Sequence, residues 1–186
     1  MERTWYQRLF SRPPAFDREA LIAKAEGGDP DAQFGLGIQY GSGLGALRDP
    51  GQAAQWYRRA ADQDHPLAQF NLGMMYADGD GVPRDDAESF AWLWKAAEQG
   101  DAGAQHQMGI RCQRATFVAL QADVGEARIE AYKWFHLAAA QGYRGSELAC
   151  EGMNLKMTRV QVAEGNRRAT TFQPLTSRCE PPGQAG

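Results

Sequence analysis

Cysteine is scarce in this chain: Cys112, Cys150 and Cys179 are the only three, at no spacing that would hold a metal ion. So sparse and odd a set excludes a disulfide-built fold and fits a reducing, cytoplasmic setting. Long apolar runs are missing as well. The opening MERTWYQRLFSRPP contains none, so it reads as neither a signal peptide nor a membrane span. It is amphipathic and basic, and residues 1–14 read as a short capping helix, with a surface or partner contact as the other reading. Positive charge is not in excess. Twenty Lys and Arg stand against 23 Asp and Glu, for a net charge of −3 and a pI near 5.6, which argues against nucleic acid as a partner.

Groups arranged for catalysis are lacking too. His65 falls at a helix start, His106 shares the slot of Phe34 and Phe70, and His136 that of Arg58 and Trp94. No Ser, Cys or carboxylate recurs at a fixed offset from them, so no nucleophile and base are paired by sequence. The Gly-x-Gly turns lack the strand, helix and lysine of a phosphate loop. Asp78, Asp80, Asp85 and Asp86 are crowded, but not at EF-hand spacing. The expectation is therefore no catalytic residue, no cofactor and no metal site.

What the chain does have is repetition. Residues 31–66 laid over 67–102 without a gap give 14 identities in 36 positions. Ala32/Ala68, Leu36/Leu72, Gly37/Gly73 and Tyr40/Tyr76 fall on one helical face. Gly43/Gly79 and Gly45/Gly81 follow as a turn; Trp56/Trp92, Ala60/Ala96 and Ala61/Ala97 mark a second helix. Two helices per period of this length specify an α-solenoid. Gly37, Gly73 and Gly109 are expected where the neighbouring helix comes closest. Ala60, Ala61, Ala96, Ala97, Ala138 and Ala139 serve the same crossing, with Trp56, Trp92 and Trp134 as filling bulk. Asp49, Asp85 and Asp123, each with Gln or Glu three residues on, read as capping boxes, and Pro30, Pro50 and Pro66 occupy helix starts.

The pattern AQFNLGMMYADGDGVPRD…WLWKAAEQGD resembles the Sel1-like repeat family, a relative of the tetratricopeptide repeats. The resemblance implies an all-α fold, a right-handed α/α solenoid of helix hairpins. Its units would be 31–66, 67–102 and 103–145, preceded by a half-repeat cap at 15–30 and closed by capping helices at 146–172. A Pro/Gly-rich tail, 173–186, reads as disordered. The first unit departs at Ala46 and Leu47. The third has Cys112 for the tyrosine and lacks the Gly-x-Gly turn. Six extra residues between Ala96 and Ala138, within 113–126, read as a longer first helix or a longer connection. In the first cap Ala20, Ile22, Ala23 and Ala25 read as the inward face. In a last helix capped by Thr158, Val160, Val162 and Ala163 read as inward, with Arg167 and Arg168 outward.

In such a stack the first helices line the concave side. By register the groove is lined by Phe34, Gly35 and Ile38, then Phe70, Asn71 and Met74, then His106, Gln107 and Ile110. Phe34 and Phe70 are equally candidates for core between first helices. The tetratricopeptide resemblance implies that the Asn71 slot hydrogen-bonds a peptide backbone, with Gly35 and Gln107 partial matches. The expected function is a non-catalytic adaptor that binds an unidentified protein or peptide, as a strand or amphipathic helix. Two alternatives remain: a β-lactam- or peptidoglycan-related binder or hydrolase, which the shortage of cysteine disfavours, and a self-associating structural array.

Overall fold

Every first helix starts from the same device. Asp29, His65 and Asp101 accept the backbone N–H groups of Ala32, Ala68 and Ala104 at 2.8, 3.2 and 2.7 Å. Each thereby satisfies a donor that the helix cannot. Asp49 and Asp85 cap the second helices, the latter through both Ala87 and Glu88. The reciprocal half of the expected Asp85 box is not made; Glu88 instead accepts the Trp92 indole N–H at 3.0 Å. Thr158 and Gln161 form a complete box.

The computed structural model describes residues 18–43, 48–118 and 124–175. The N-terminal segment 1–14, Ala46 and Leu47, the Asp123 cap, residues 119–123 of the insertion and the tail from 176, Cys179 included, lie outside the described residues. Among the described residues nine helices follow in order: α1 (Arg18–Glu26), α2 (Pro30–Ser42), α3 (Pro50–Ala61), α4 (Pro66–Asp78), α5 (Asp86–Glu98), α6 (Ala102–Val118), α7 (Val124–Ala140), α8 (Ser146–Asn154) and α9 (Arg159–Thr170). Each helix from α1 to α7 packs on the next, so α2, α4, α6 and α8 form one layer and α1, α3, α5 and α7 the other. This is the all-α solenoid that the periodicity specifies, and no helix among the described residues is long and apolar enough to cross a membrane.

The core is a chain of clusters rather than a centre, as a nearest-neighbour array requires. At each hairpin a bulky side chain of the second helix lies on a glycine of the first. A Cβ on Gly37, Gly73 or Gly109 would come within 2.4 Å of Tyr57, 2.8 Å of Leu93 or 2.6 Å of Phe135. Ala60, Ala96 and Ala138 are fully buried beside them. At α1 the slots of buried Ala54 and Ala60 hold Arg18 and Lys24, both exposed. Its inward face is Leu21, Ile22 and Ala25; Ala20 and Ala23, expected inside, are exposed.

A second repeating element joins the units. Gln33, Gln69 and Gln105 are buried, and their amides donate to the carbonyls of Ala25, Ala61 and Ala97 at 3.0, 3.1 and 3.3 Å. Gln63, Gln99 and Gln141 in turn donate to those glutamines at 2.8, 2.7 and 2.9 Å. Each buried glutamine thus ties the start of its unit to the end of the one before, and its partner ties that start to the end of its own unit; each buried amide is satisfied.

The third unit differs in length. Helices α6 and α7 have 17 residues each, against 12 to 13 in the two hairpins before them. The described part of the insertion therefore extends both helices.

Helix α9 packs on α7. Gly165 and Ala169 are buried, with Gly165 so close to Tyr132 that a Cβ would lie 2.6 Å from its ring. Val160 and Ala163, expected inside, are exposed. Arg168, expected outside, pairs with Glu130 and Glu164 at 2.6 and 2.8 Å and with Glu126. Small residues let the helices approach, and the guanidinium gathers the carboxylates. Hydrogen bonds from Arg167 and Arg168 hold the Glu164 carboxyl down at about 2 from an ordinary 4.5. A depressed carboxyl contributes stability above its unfolded value and loses it as pH falls through its folded value. Hydrogen-exchange protection of α9 is therefore expected to fall between pH 4.5 and 2 while that of α4 persists, and Arg168→Ala is expected to show low α9 protection at either end of that range.

Candidate partner-binding groove

The helical period sorts each first helix into faces. Ala32, Leu36 and Gly37, with their counterparts, meet the second helix. The slot of Phe34, Phe70 and His106 turns toward the next unit instead. Phe34 stacks on His65 at 4.6 Å and tilts against Tyr57 at 5.8 Å. Phe70 lies against Gly103, and His106 against Phe135 and Tyr143 at 5.3 and 5.2 Å. All three side chains are half-buried at unit junctions.

The next positions open onto two clefts. One, of about 230 Å³ between α2 and α4, is lined by Gly41, Tyr57, Asn71, Met74 and Asp78 among others. The other, of about 790 Å³ between α4 and α6, has a floor of Met74, Leu93 and Ile110 and a wall carrying Gln107, Arg111 and Arg114. Met74 and Asp78 line both, so the clefts form one groove across α2, α4 and α6. Its larger part has the volume typical of a ligand site. Ile38, 39% exposed, lies one helical turn beyond Phe34 on α2. Asn71 donates to the Leu67 carbonyl of its own helix at 2.9 Å, which leaves its amide oxygen for a ligand.

Of the residues read from the register, the groove brings together Asn71, Met74, Gln107 and Ile110. The charged lining was missed. Arg84 pairs with Asp86 at 3.3 Å at the mouth of the larger cleft. Arg111 is half-buried and donates to the buried Ser89 hydroxyl at 2.6 Å. Its burial and the nearby Arg114 disfavour its charge, against an attraction from Asp86. The signal was present, since Arg111 and Arg114 follow Gln107 at helical spacing. Comparison between units hid them: their counterparts are Gln39 and Ser42 in the first unit and Met75 and Asp78 in the second.

The polar groups outside the groove have structural partners. His65 caps α4 and lies 3.2 Å from Asp31. Asp80, at the edge of the smaller cleft, pairs with Arg48; Asp85 caps α5, and no cluster fit to hold a metal occurs among the described residues. His106 Nδ1 is 2.8 Å from Ser146 Oγ, a contact not foreseen from sequence. Ser146 is fully buried, and burial lowers the His106 pKa. The pair joins α6 to α8. Cys112 and Cys150 are free thiols, each pushed up to about 11 chiefly by burial. Low thiolate content makes them poor nucleophiles.

A family model described as the Sel1 repeat matches residues 30–65, 66–101 and 102–143. Among solved structures the chain is similar to a Sel1 repeat protein from Oxalobacter formigenes, with 35% identity over 74% of this chain and 99% of that one, at a TM-score of 0.63. It is also similar to c5321, a protective antigen present in uropathogenic Escherichia coli strains and displaying an SLR fold. There the identity is 21% over 97% of this chain and 47% of the other, at a TM-score of 0.60, a likeness of fold alone. A search of curated proteins found no match.

Proposed function

Because the chain belongs to the Sel1 repeat family, we propose that it is a non-catalytic adaptor that takes an extended peptide or a helix of a partner protein into the groove of its first helices. Sel1 repeats are generally protein–protein interaction modules and typically non-catalytic scaffolds. The observation that carries the reading is the continuity of the two clefts through Met74 and Asp78. An apolar floor with amides at its side supplies what an inserted segment needs: area to bury, and groups that pair with its backbone. Adaptor action in the cytoplasm belongs to the same proposal.

The test is affinity capture with the wild-type chain beside Asn71→Ala/Met74→Glu, both first shown to be folded by a circular-dichroism melt. Ala91→Glu, on the exposed face of α5, serves as control. A partner lost at least tenfold only from the groove variant is the expected result. Equal recovery by all three would move the site elsewhere. Recovery of the chain's own second copy by all three would instead favour self-association through α8 and the segment after it, where Leu148 and Leu155 are 72% and 90% exposed.

A further inference from the structure

The larger cleft carries an uncompensated positive charge on one wall. Arg111 and Arg114 lie on the same face of α6, one turn apart, and both line it. Among the described residues neither has a carboxylate within ion-pair range. Arg111 reaches only the neutral Ser89 hydroxyl, and Asp86, whose charge attracts it, is paired with Arg84. A guanidinium keeps its proton at any ordinary pH, so it cannot relieve this by neutralising. An anion seated between the two arginines would relieve both the burial of Arg111 and its repulsion by Arg114.

We propose that the α4–α6 cleft selects a peptide segment that presents a carboxylate beside an aliphatic side chain, with the carboxylate on Arg111 and Arg114 and the aliphatic group on Met74 and Ile110. This rests on the groove reading and gives it a ligand class. The geometry supplies both halves, because the arginine wall adjoins the apolar floor within one cleft. A monoanionic carboxylate fits better than a phosphate dianion, since Asp78 and Asp86 line the same cleft and repel the second charge.

The experiment measures fluorescence anisotropy with two fluorescein-labelled peptides, one alternating leucine with glutamate and one leucine with lysine, titrated with the full chain. The glutamate peptide is expected to bind at least tenfold more tightly. The preference should fall below twofold in Arg111→Gln/Arg114→Gln and persist in the charge-matched control Arg144→Gln/Arg159→Gln, with melts of all variants compared first. Equal binding of the two peptides, a preference that survives the loss of Arg111 and Arg114, or no binding of either peptide would each overturn the proposal. The two readings are told apart by Met74→Glu: if wild type binds both peptides equally and Met74→Glu abolishes that binding, the groove stands and the carboxylate selectivity falls. If neither Met74→Glu nor the arginine pair alters binding, both fall.

Discussion

Gly73→Val is expected to destabilise the chain by about 3 kcal/mol or more, a drop of roughly 10 °C in melting temperature. A Cβ at Gly73 would lie 2.8 Å from Leu93 Cγ and 3.2 Å from the Leu93 backbone nitrogen. A side chain can rotate away, but the backbone of α5 yields only by moving the helix. The loss therefore greatly exceeds the roughly 1 kcal/mol that replacing a helical glycine would otherwise gain. Gly152 supplies the control. It lies within α8 with nothing inside 4 Å of its would-be Cβ. Gly152→Ala is expected to raise stability by about 0.5–1 kcal/mol. Thermal melts of the two variants decide the matter; equal behaviour would mean that Gly73 is not a crossing point.

Gln69→Glu is expected to be among the most costly near-isosteric changes in the protein, and its cost depends on pH. Gln69 is fully buried; its amide nitrogen donates to the Ala61 carbonyl and to Asp64 Oδ1 at 3.1 and 3.2 Å, while its oxygen accepts from Gln99 at 2.7 Å. A carboxylate in that place turns an acceptor toward Ala61 and Asp64, which themselves accept. Burial and the Asp64 charge both raise the carboxyl's folded-state pKa above its unfolded value. The sign follows: the variant's stability is preserved at low pH and lost as pH rises through the folded value. At pH 7 the expected deficit relative to wild type is about 3 kcal/mol, narrowing below about pH 4. Urea unfolding of both proteins at the two pH values measures it. A deficit independent of pH would show that the position is not buried as described.

How much of this was legible in the sequence depends on whether the physical signal was periodic. The glycine crossings of the hairpins were, because a bulky neighbour at that distance requires a glycine, and Gly37, Gly73 and Gly109 recur in phase. The glutamines recur just as regularly, but a polar residue in a helix reads as solvated until its partner is known. The partners, Gln63, Gln99 and Gln141, lie 30 to 36 residues away. Helix α9 was misread because its inward face is made of glycine and alanine with an arginine beside them, while its valine at 160 points outward. A hydrophobic pattern cannot find a face defined by close approach and ion pairing. In the groove, Asn71, Met74, Gln107 and Ile110 followed from register. Arg111 and Arg114 did not, since a reading built on likeness between units discards what only one unit has.

The claim that the groove is the working surface is tested most directly by site-specific photo-cross-linking. A benzoylphenylalanine is placed at Gln107, in the larger cleft, or at Ala91, on the exposed side of α5. The account predicts a single partner adduct from position 107, competed by the unlabelled chain, and none from 91. The same adduct from 91 with none from 107 would contradict it.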